Sequence, residues 1–397
     1  MAQPATRTLE SLDVAGRRAL VRVDFNVPLK ADGGVGDATR LRASLPTVRW
    51  LLDHGARAVI LMSHLGRPDG KPNPAYSLRP VAASFAELLG QRVEFAADCV
   101  GDDVERAVRS LEPGAVLLLE NLRFHPEEET NDPGFARRLA NLGDVYINDA
   151  FGTAHRAHAS TVGVARYLPS AAGLLMQREV EALGGALESP KRPFVGIVGG
   201  AKISTKIAVL ENLLPRVDKL LVGGAMMFTF LKARGCQVGR SLVEDEHVAL
   251  ARRIADEAGA KLVLPADTVA ASELRAGART QVVDACAVPD GLMGLDVGPR
   301  TVASWARVVQ EAGTVLWNGP LGAYEVADFA KGTAELAKAL ADSAATSIVG
   351  GGDLVAAIEA AGVADRMSHV STGGGASLEF IEGKVLPGVA ALAATES

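Results

Sequence analysis

Short runs rich in Val, Ile, Leu and Ala alternate along this chain with stretches whose apolar residues recur near every 3.6 positions. Few architectures accept that alternation. The runs Ala19–Asp24, Ala58–Ser63, Ala115–Glu120, Asp144–Asp149, Phe194–Val198, Lys219–Val222, Lys261–Leu264, Thr314–Trp317, Thr346–Val349 and His369–Ser371 read as strands. Between them, Arg40–His54, Ser77–Leu89, Pro133–Leu142, Ile203–Leu214, Asp245–Ala258, Gly298–Glu311 and Leu354–Ala361 carry the helical period. Strands in this pattern belong to parallel sheets covered by helices on both faces, so the expected fold class is α/β.

At 397 residues the chain exceeds what one ordinary core organises, which points to two domains. The best boundary lies at residues 180–193, where the amphipathic stretch Arg178–Leu187 holds Gly184 and Gly185 and runs into Ser-Pro-Lys-Arg-Pro. That composition marks a connecting helix. With 48% hydrophobic and 22% charged residues the chain is globular, and no apolar run approaches the roughly 18 residues of a membrane span. The first residues lack an apolar core, so no signal peptide is expected. Cys99, Cys236 and Cys286 show neither paired nor metal-ligand spacing and read as reduced, buried thiols of a cytosolic protein. The net charge of −6 hides an asymmetry: residues 1–80 carry +5 and the remainder −11. A mildly acidic chain with an Arg-rich first fifth is a poor nucleic-acid binder but suits a focused site for a small anion.

Polar residues cluster just past four candidate strands of the first half. They are Asp24-Phe25-Asn26, His64-Leu65-Gly66-Arg67, Asn121-Leu122-Arg123 and the run from Asn148 to His158, which includes His155 and Arg156. Carboxyl ends of parallel strands are where ligands bind. Arg40, from a helix start, joins Arg67, Arg123 and Arg156 as forks for phosphate or carboxylate. Taken singly, each arginine would read as a surface ion pair and each histidine as a packing residue. Repetition over four edges carries the weight.

The second half has strand–glycine–helix junctions at Val198–Lys206, Val349–Asp353 and Ser371–Ser377. Helix starts of this kind present free N–H groups and partial positive charge to a polyphosphate. Lys202 and Lys206, at i and i+4, are expected on one helix face, and Asp353 stands where a carboxylate holds Mg²⁺. Glu325 offers an acceptor for ribose hydroxyls. Neither G-x-x-x-x-G-K-[ST] nor G-x-G-x-x-G occurs, which argues against a P-loop enzyme and a dinucleotide dehydrogenase. Two anion sites without a nucleophile–base pair point to direct phosphoryl transfer between bound substrates.

In order along the chain stand Val-Asp-Phe-Asn-Val-Pro, Ser-His-Leu-Gly-Arg-Pro, Glu-Asn-Leu-Arg-Phe, Ala-His-Arg-Ala-His-Ala-Ser, Gly-Gly-Ala-Lys-Ile-Ser-Thr-Lys, Trp-Asn-Gly-Pro-Leu-Gly, Gly-Gly-Gly-Asp and Ser-Thr-Gly-Gly-Gly-Ala-Ser. Through these strings the chain resembles the phosphoglycerate kinase family over essentially its whole length. The resemblance implies reversible transfer between 1,3-bisphosphoglycerate and Mg-ADP, giving 3-phosphoglycerate and ATP, in a cytoplasmic monomer. It also implies two Rossmann-like domains joined by a hinge helix. Residues 1–178 would form the triose domain, 179–193 the hinge and 194–381 the nucleotide domain, with the tail from about 382 to 397 returning to the first. The triose site would then comprise Asp24, Phe25, Asn26, Arg40, His64, Leu65, Gly66, Arg67, Arg123 and Arg156. For the nucleotide the implied set is Lys206, Gly294, Asn318, Glu325, Gly350, Gly351, Gly352 and Asp353, with Asp353 on the magnesium. Arg40 and Lys202 would neutralise the phosphoryl group in flight, helped by amides at Gly373 and Gly374. One departure is Leu354, where the family commonly has Thr or Ser, and it implies a lost hydroxyl contact and weaker nucleotide binding.

Overall fold

The computed structural model describes residues 3–31 and 33–393, and the chain divides into two units. The first runs to Glu181 and takes back the chain from Val385, and the second spans Ala182–Lys384.

Unit 1 is built on a six-stranded, wholly parallel sheet. Its strands are β1 (Arg18–Arg22), β2 (Ala58–Met62), β3 (Val93–Phe95), β4 (Ala115–Leu118), β5 (Val145–Asn148) and β6 (Ser170–Ala172), in the order β3-β4-β2-β1-β5-β6. Ala19 pairs with Val59 on one side and Val145 on the other, and Val21 with Leu61 and Ile147. Because side chains alternate along a strand, Ala19, Val21, Val59, Leu61, Val145 and Ile147 share one face. There they form a buried core with Leu41, Val48 and Leu51 of the helix Thr39–Asp53. Leu20, Ile60 and Tyr146, on the opposite face, are equally buried. Burial on both faces explains why the middles of β1, β2 and β5 are apolar. The C-terminal segment belongs to this unit, as Gly388 N–H donates to Ala154 O at 2.8 Å and Arg7 N–H to Leu392 O at 3.0 Å. Residues 394–397 of the expected tail lie outside the described residues.

Unit 2 repeats the plan with additions. Its first strands are β7 (Phe194–Val198), β8 (Lys219–Val222), β9 (Gln237–Val238), β10 (Leu262–Val263), β11 (Asp267–Ala271) and β12 (Gln281–Asp284). They continue as β13 (Ala287–Val288), β14 (Met293–Val297), β15 (Thr314–Asn318), β16 (Thr346–Gly350) and β17 (His369–Val370). The main sheet is parallel with order β10-β8-β7-β15-β16-β17. A three-stranded antiparallel sheet, β12-β11-β14, and the pair β13-β9 complete the unit. Val195, Ile197, Val315, Trp317 and Val349 build its core with Trp305, Leu336 and Ile358.

The helix Leu174–Glu188 contains the boundary between Glu181 and Ala182, and it includes Gly184 and Gly185. Its start is fixed in unit 1, where Asp149 Oδ1 accepts from Leu175 N–H at 2.9 Å and Met176 N–H at 3.3 Å.

Two expectations are corrected. Cys236 and Cys286 are joined by a disulfide beside the β9–β13 pair, so Cys99 alone is a buried free thiol. Fifty residues separate the bonded cysteines, and nothing in their local sequence signals that pairing. Closing a loop of that length stabilises by about 2–4 kcal/mol. Reduction by dithiothreitol is therefore expected to lower the thermal transition of unit 2 by roughly 5–15 °C. A transition unmoved by reductant would show that the bond does not hold this unit together. The second correction concerns the expected helix Ile203–Leu214, which is a 3₁₀ turn at Ile203–Thr205 followed by a separate helix, Ile207–Leu213.

Candidate active site

The sheet order of unit 1 sets β4, β2, β1 and β5 side by side, so the four polar loops past their carboxyl ends become neighbours. Hydrogen bonds tie one loop to the next. Gly66 N–H donates to Asn26 Oδ1 at 2.9 Å, Arg123 Nη1 to Gly66 O at 2.8 Å and Asn121 Nδ2 to Leu65 O at 2.7 Å. From the first turn of the helix Thr39–Asp53, Arg40 Nη1 reaches Asp24 Oδ2 at 2.7 Å. Arg123 is buried at 6% exposure, Arg156 is half-buried and Arg67 is exposed. Arg156 Nε donates to His155 Nε2 at 3.2 Å. The side chains of Phe25 and Leu65 pack into the unit 1 core.

Beneath this edge lies a charged network that sequence reading missed. Arg22 and Glu128 are both fully buried. Arg22 donates from Nε to Ser160 Oγ at 2.8 Å, from Nη1 to Val23 O and from Nη2 to His64 Nδ1 at 3.2 Å. Glu128 accepts from Ser160 N–H at 2.9 Å and from its hydroxyl at 2.5 Å. A guanidinium only donates, so His64 Nδ1 accepts and the ring proton sits on Nε2. Burial first, then the charges of Arg22, Arg123 and Arg40, hold the His64 pKa well below its ordinary value. His64 therefore offers a neutral N–H donor among cations.

In unit 2 the ends of β7, β15, β16 and β17 are adjacent. Past β7, Lys202 is exposed on extended backbone, whereas Lys206 is half-buried and donates from Nζ to Asn318 Oδ1 at 2.5 Å. The two lysines thus do not share a helix face. What separates them is the 3₁₀ turn, held by Glu244, whose carboxylate accepts from Ser204 N–H at 3.0 Å and its hydroxyl at 2.6 Å. Asn318 Nδ2 continues the chain to Gly350 O at 2.9 Å. Gly351, at φ 102°, turns β16 into the helix Gly352–Ala360 through backbone that disfavours a side chain. Asp353 stands exposed in that helix's first turn. Past β17, Gly373 N–H donates to Ser371 Oγ at 3.2 Å, and Gly374, at φ 50°, precedes the helix Gly375–Ile381.

A cavity of about 360 Å³ opens beside these strand ends, with Gly200, Phe228, Gly294, Tyr324, Glu325 and Asp353 in its wall. Lys202, Lys206 and Asn318 are not part of that wall. At Gly294 a Cβ would lie 2.0 Å from Phe228 Cζ, so close packing within the wall accounts for the glycine. Leu354 is fully buried in the unit 2 core, where it acts as an inward packing group.

The serine hydroxyls that meet a carboxylate at these edges, Ser160 at Glu128 and Ser204 at Glu244, hold a buried network and a tight turn in place. Fold and edges together define an enzyme that moves a phosphoryl group directly between bound anions. Comparison with known proteins makes that class specific. Residues 9–384 match the family model of phosphoglycerate kinase. The chain is 59% identical to the phosphoglycerate kinase of Moorella thermoacetica, covering 98% of this chain and 99% of that one. It is 57% identical to that of Chloroflexus aurantiacus, covering 97% and 98%. The structure of phosphoglycerate kinase from Coxiella burnetii superposes with a TM-score of 0.89 at 43% identity over 98% of this chain and 99% of that one. That of Pyrococcus horikoshii gives 0.85 at 35% identity over 97% and 98%. The chain belongs to the phosphoglycerate kinase family. It is a glycolytic kinase that transfers phosphate to and from a carboxyl group.

Proposed function

We propose that the unit 1 edge holds phosphoglycerate and the unit 2 edge the adenine nucleotide. In this reading Asn26, His64, Arg67, Arg123 and Arg156 grip the triose phosphate and carboxylate, and Asp24 orients Arg40. Lys206, Asn318, Gly294, Glu325 and the turn Gly350–Asp353 bind ADP or ATP. The observation that carries the reading is the convergence of four arginines, three on strand-end loops and Arg40 on a helix start, at the ends of four neighbouring strands, with a neutral histidine donor among them.

Mg²⁺ fits the second edge. Asp353 is an exposed carboxylate in the cavity wall, which Glu325 and Asp296 also line, and Mg²⁺ is commonly held by one or two carboxylates plus substrate phosphates. When bound, the ion supplies charge neutralisation at the phosphates. Arg40 and Lys202 are the cations that neutralise the phosphoryl group as it passes, with the amides of Gly373 and Gly374 as further donors. The carboxylate of 3-phosphoglycerate attacks the γ-phosphorus of ATP, the bond to the bridging oxygen breaks, and ADP leaves. No covalent enzyme intermediate is needed. Donor and acceptor must come in line with water excluded, so residues 179–193 act as the hinge of closure. In this reading the enzyme works as a monomer in the cytoplasm, where the Cys236–Cys286 bond would meet a reducing thiol pool.

Calorimetry separates the two edges. Lys206→Met is expected to weaken ADP by about tenfold or more and leave 3-phosphoglycerate unchanged, while Arg156→Ala does the reverse, as loss of a charge-assisted hydrogen bond implies. Solution scattering should show the greatest compaction of the parent enzyme with both ligands present. Equal loss of both ligands in either variant, or full compaction with one, contradicts the assignment.

A further inference from the structure

No hydroxyl side chain directly follows Gly350-Gly351-Gly352-Asp353 at the second edge. Leu354 fills that position and is fully buried in the core. A hydroxyl nevertheless reaches the neighbouring carboxylate. Tyr324 Oη donates to Asp353 Oδ1 at 3.2 Å, from a residue 29 positions earlier in the chain.

The loop that carries Tyr324 is held on several sides. Leu321 N–H donates to Thr333 Oγ1 at 2.9 Å and Ala323 N–H to Leu295 O at 2.9 Å. Tyr324 N–H closes a tight turn onto Gly322 O at 2.9 Å. At Gly322 a Cβ would stand 2.3 Å from Asp296 Oδ1 and 2.4 Å from Phe329 O, so the turn lies flat against β14. A backbone fixed this way delivers the phenol to one place in the cavity wall, beside Asp353 and Glu325.

An exposed aspartate in a helix's first turn is otherwise free to rotate its carboxylate. One donor on Oδ1 fixes that rotation and leaves Oδ2 available. Mg²⁺ demands near-ideal octahedral geometry and dehydrates reluctantly, so a pre-oriented oxygen has more value to it than to a pliant cation. Partners that orient a metal-binding carboxylate without touching the ion typically tune affinity by about 10- to 100-fold.

We propose that Tyr324 is a positioning residue for the magnesium-binding carboxylate, its hydroxyl holding Asp353 so that one oxygen faces the nucleotide-bound cation. This rests on the reading of Asp353 as the residue that meets the ion. The phenol also lies on a loop of the cavity wall, so formation of the ribose side of the pocket and orientation of the carboxylate are coupled through one side chain.

The test compares ADP affinity by calorimetry in excess Mg²⁺ and in a chelator, for the parent, Tyr324→Phe and Asp353→Asn. Tyr324→Phe keeps the ring, and thermal unfolding should match the parent. Its metal-free ADP affinity should also match, while the tightening that Mg²⁺ gives the parent falls by about tenfold. In steady-state assays KM for Mg-ADP should rise more than kcat falls. Asp353→Asn should abolish the Mg²⁺-linked tightening altogether. An undiminished tightening in Tyr324→Phe overturns the proposal. So does an equal loss with and without Mg²⁺, which would place the hydroxyl on the nucleotide itself. If Asp353→Asn keeps the full Mg²⁺ effect, it is the assignment of Asp353 that fails, whatever Tyr324 does.

Discussion

Arg40→Ala is expected to lower kcat by roughly 150- to 900-fold, the equivalent of about 3–4 kcal/mol for one preorganised charge at a developing phosphoryl anion. Arg40 stands in the first turn of a 15-residue helix, whose N-terminal dipole adds positive potential at the same spot. Asp24 holds its Nη1 at 2.7 Å and is itself only 7% exposed, so the guanidinium is aimed before substrate arrives. Charge without the fork should recover only part of the loss, and Arg40→Lys is the variant that shows it. Asp24→Asn, which keeps the shape but releases the guanidinium, should fall between the parent and the alanine variant. The coupled assay for ATP formation reads all three. A near-parental kcat in Arg40→Ala would make this residue a surface cation held by Asp24 and nothing more.

Where a strand is buried on both faces, the sequence alone marks it. β7 and β8 occupy the expected spans because an uninterrupted apolar run has no other stable place in a soluble fold. β3 and β6 were not anticipated, since three residues such as Val93-Glu94-Phe95, all half-buried, carry no usable period. The antiparallel sheet was missed for a related reason: β12, Gln281–Asp284, is largely exposed and polar at both ends. Loops bearing arginine past strand ends were legible because glycine, proline and charge interrupt the apolar pattern there. Arg22 was not. A charge inside an apolar strand reads as solvent-facing, and Ser160, which meets it, is 138 residues away. The shared helix face assumed for Lys202 and Lys206 failed on a long-range contact too, since Glu244 lies 40 residues beyond the Ser204 turn that it holds.

The largest stability effect is expected at Glu128. Its carboxylate has no exposure, and both of its oxygens accept from Ser160. Ser160 Oγ in turn accepts from Arg22 Nε, so removing Glu128 leaves a buried guanidinium without its counter-charge. Ser160 bridges the two charges, which do not touch each other; leaving one buried charge without its counterpart costs about 3–5 kcal/mol, whereas removing both is far milder. Glu128→Ala should therefore lose that amount in urea unfolding of unit 1, and adding Arg22→Met should restore much of it. Additive losses in the double variant would show that the two charges are not coupled. A functional readout accompanies the structural one, because Arg22 also fixes the tautomer of His64: KM for 3-phosphoglycerate should rise in Glu128→Ala. The pH dependence separates the members of the network. Burial pushes the Glu128 carboxyl up, with Arg22 pulling the other way, so its contribution weakens as pH rises above the usual carboxylate value. The histidines have the opposite sign. His64 is held well below its ordinary value, and His158 is lowered to about 3 by burial and then by Arg22, Arg123 and Arg156. Both stay neutral in the folded unit while the unfolded chain takes up protons below about pH 6.5, so the stability they contribute is present above that value and lost as pH falls below it, toward about 3 for His158. His158, whose Nδ1 lies 3.8 Å from Glu128 Oε1, tests this: His158→Gln should flatten the fall between pH 6.5 and 5, and a profile as steep as the parent's would remove His158 from the network.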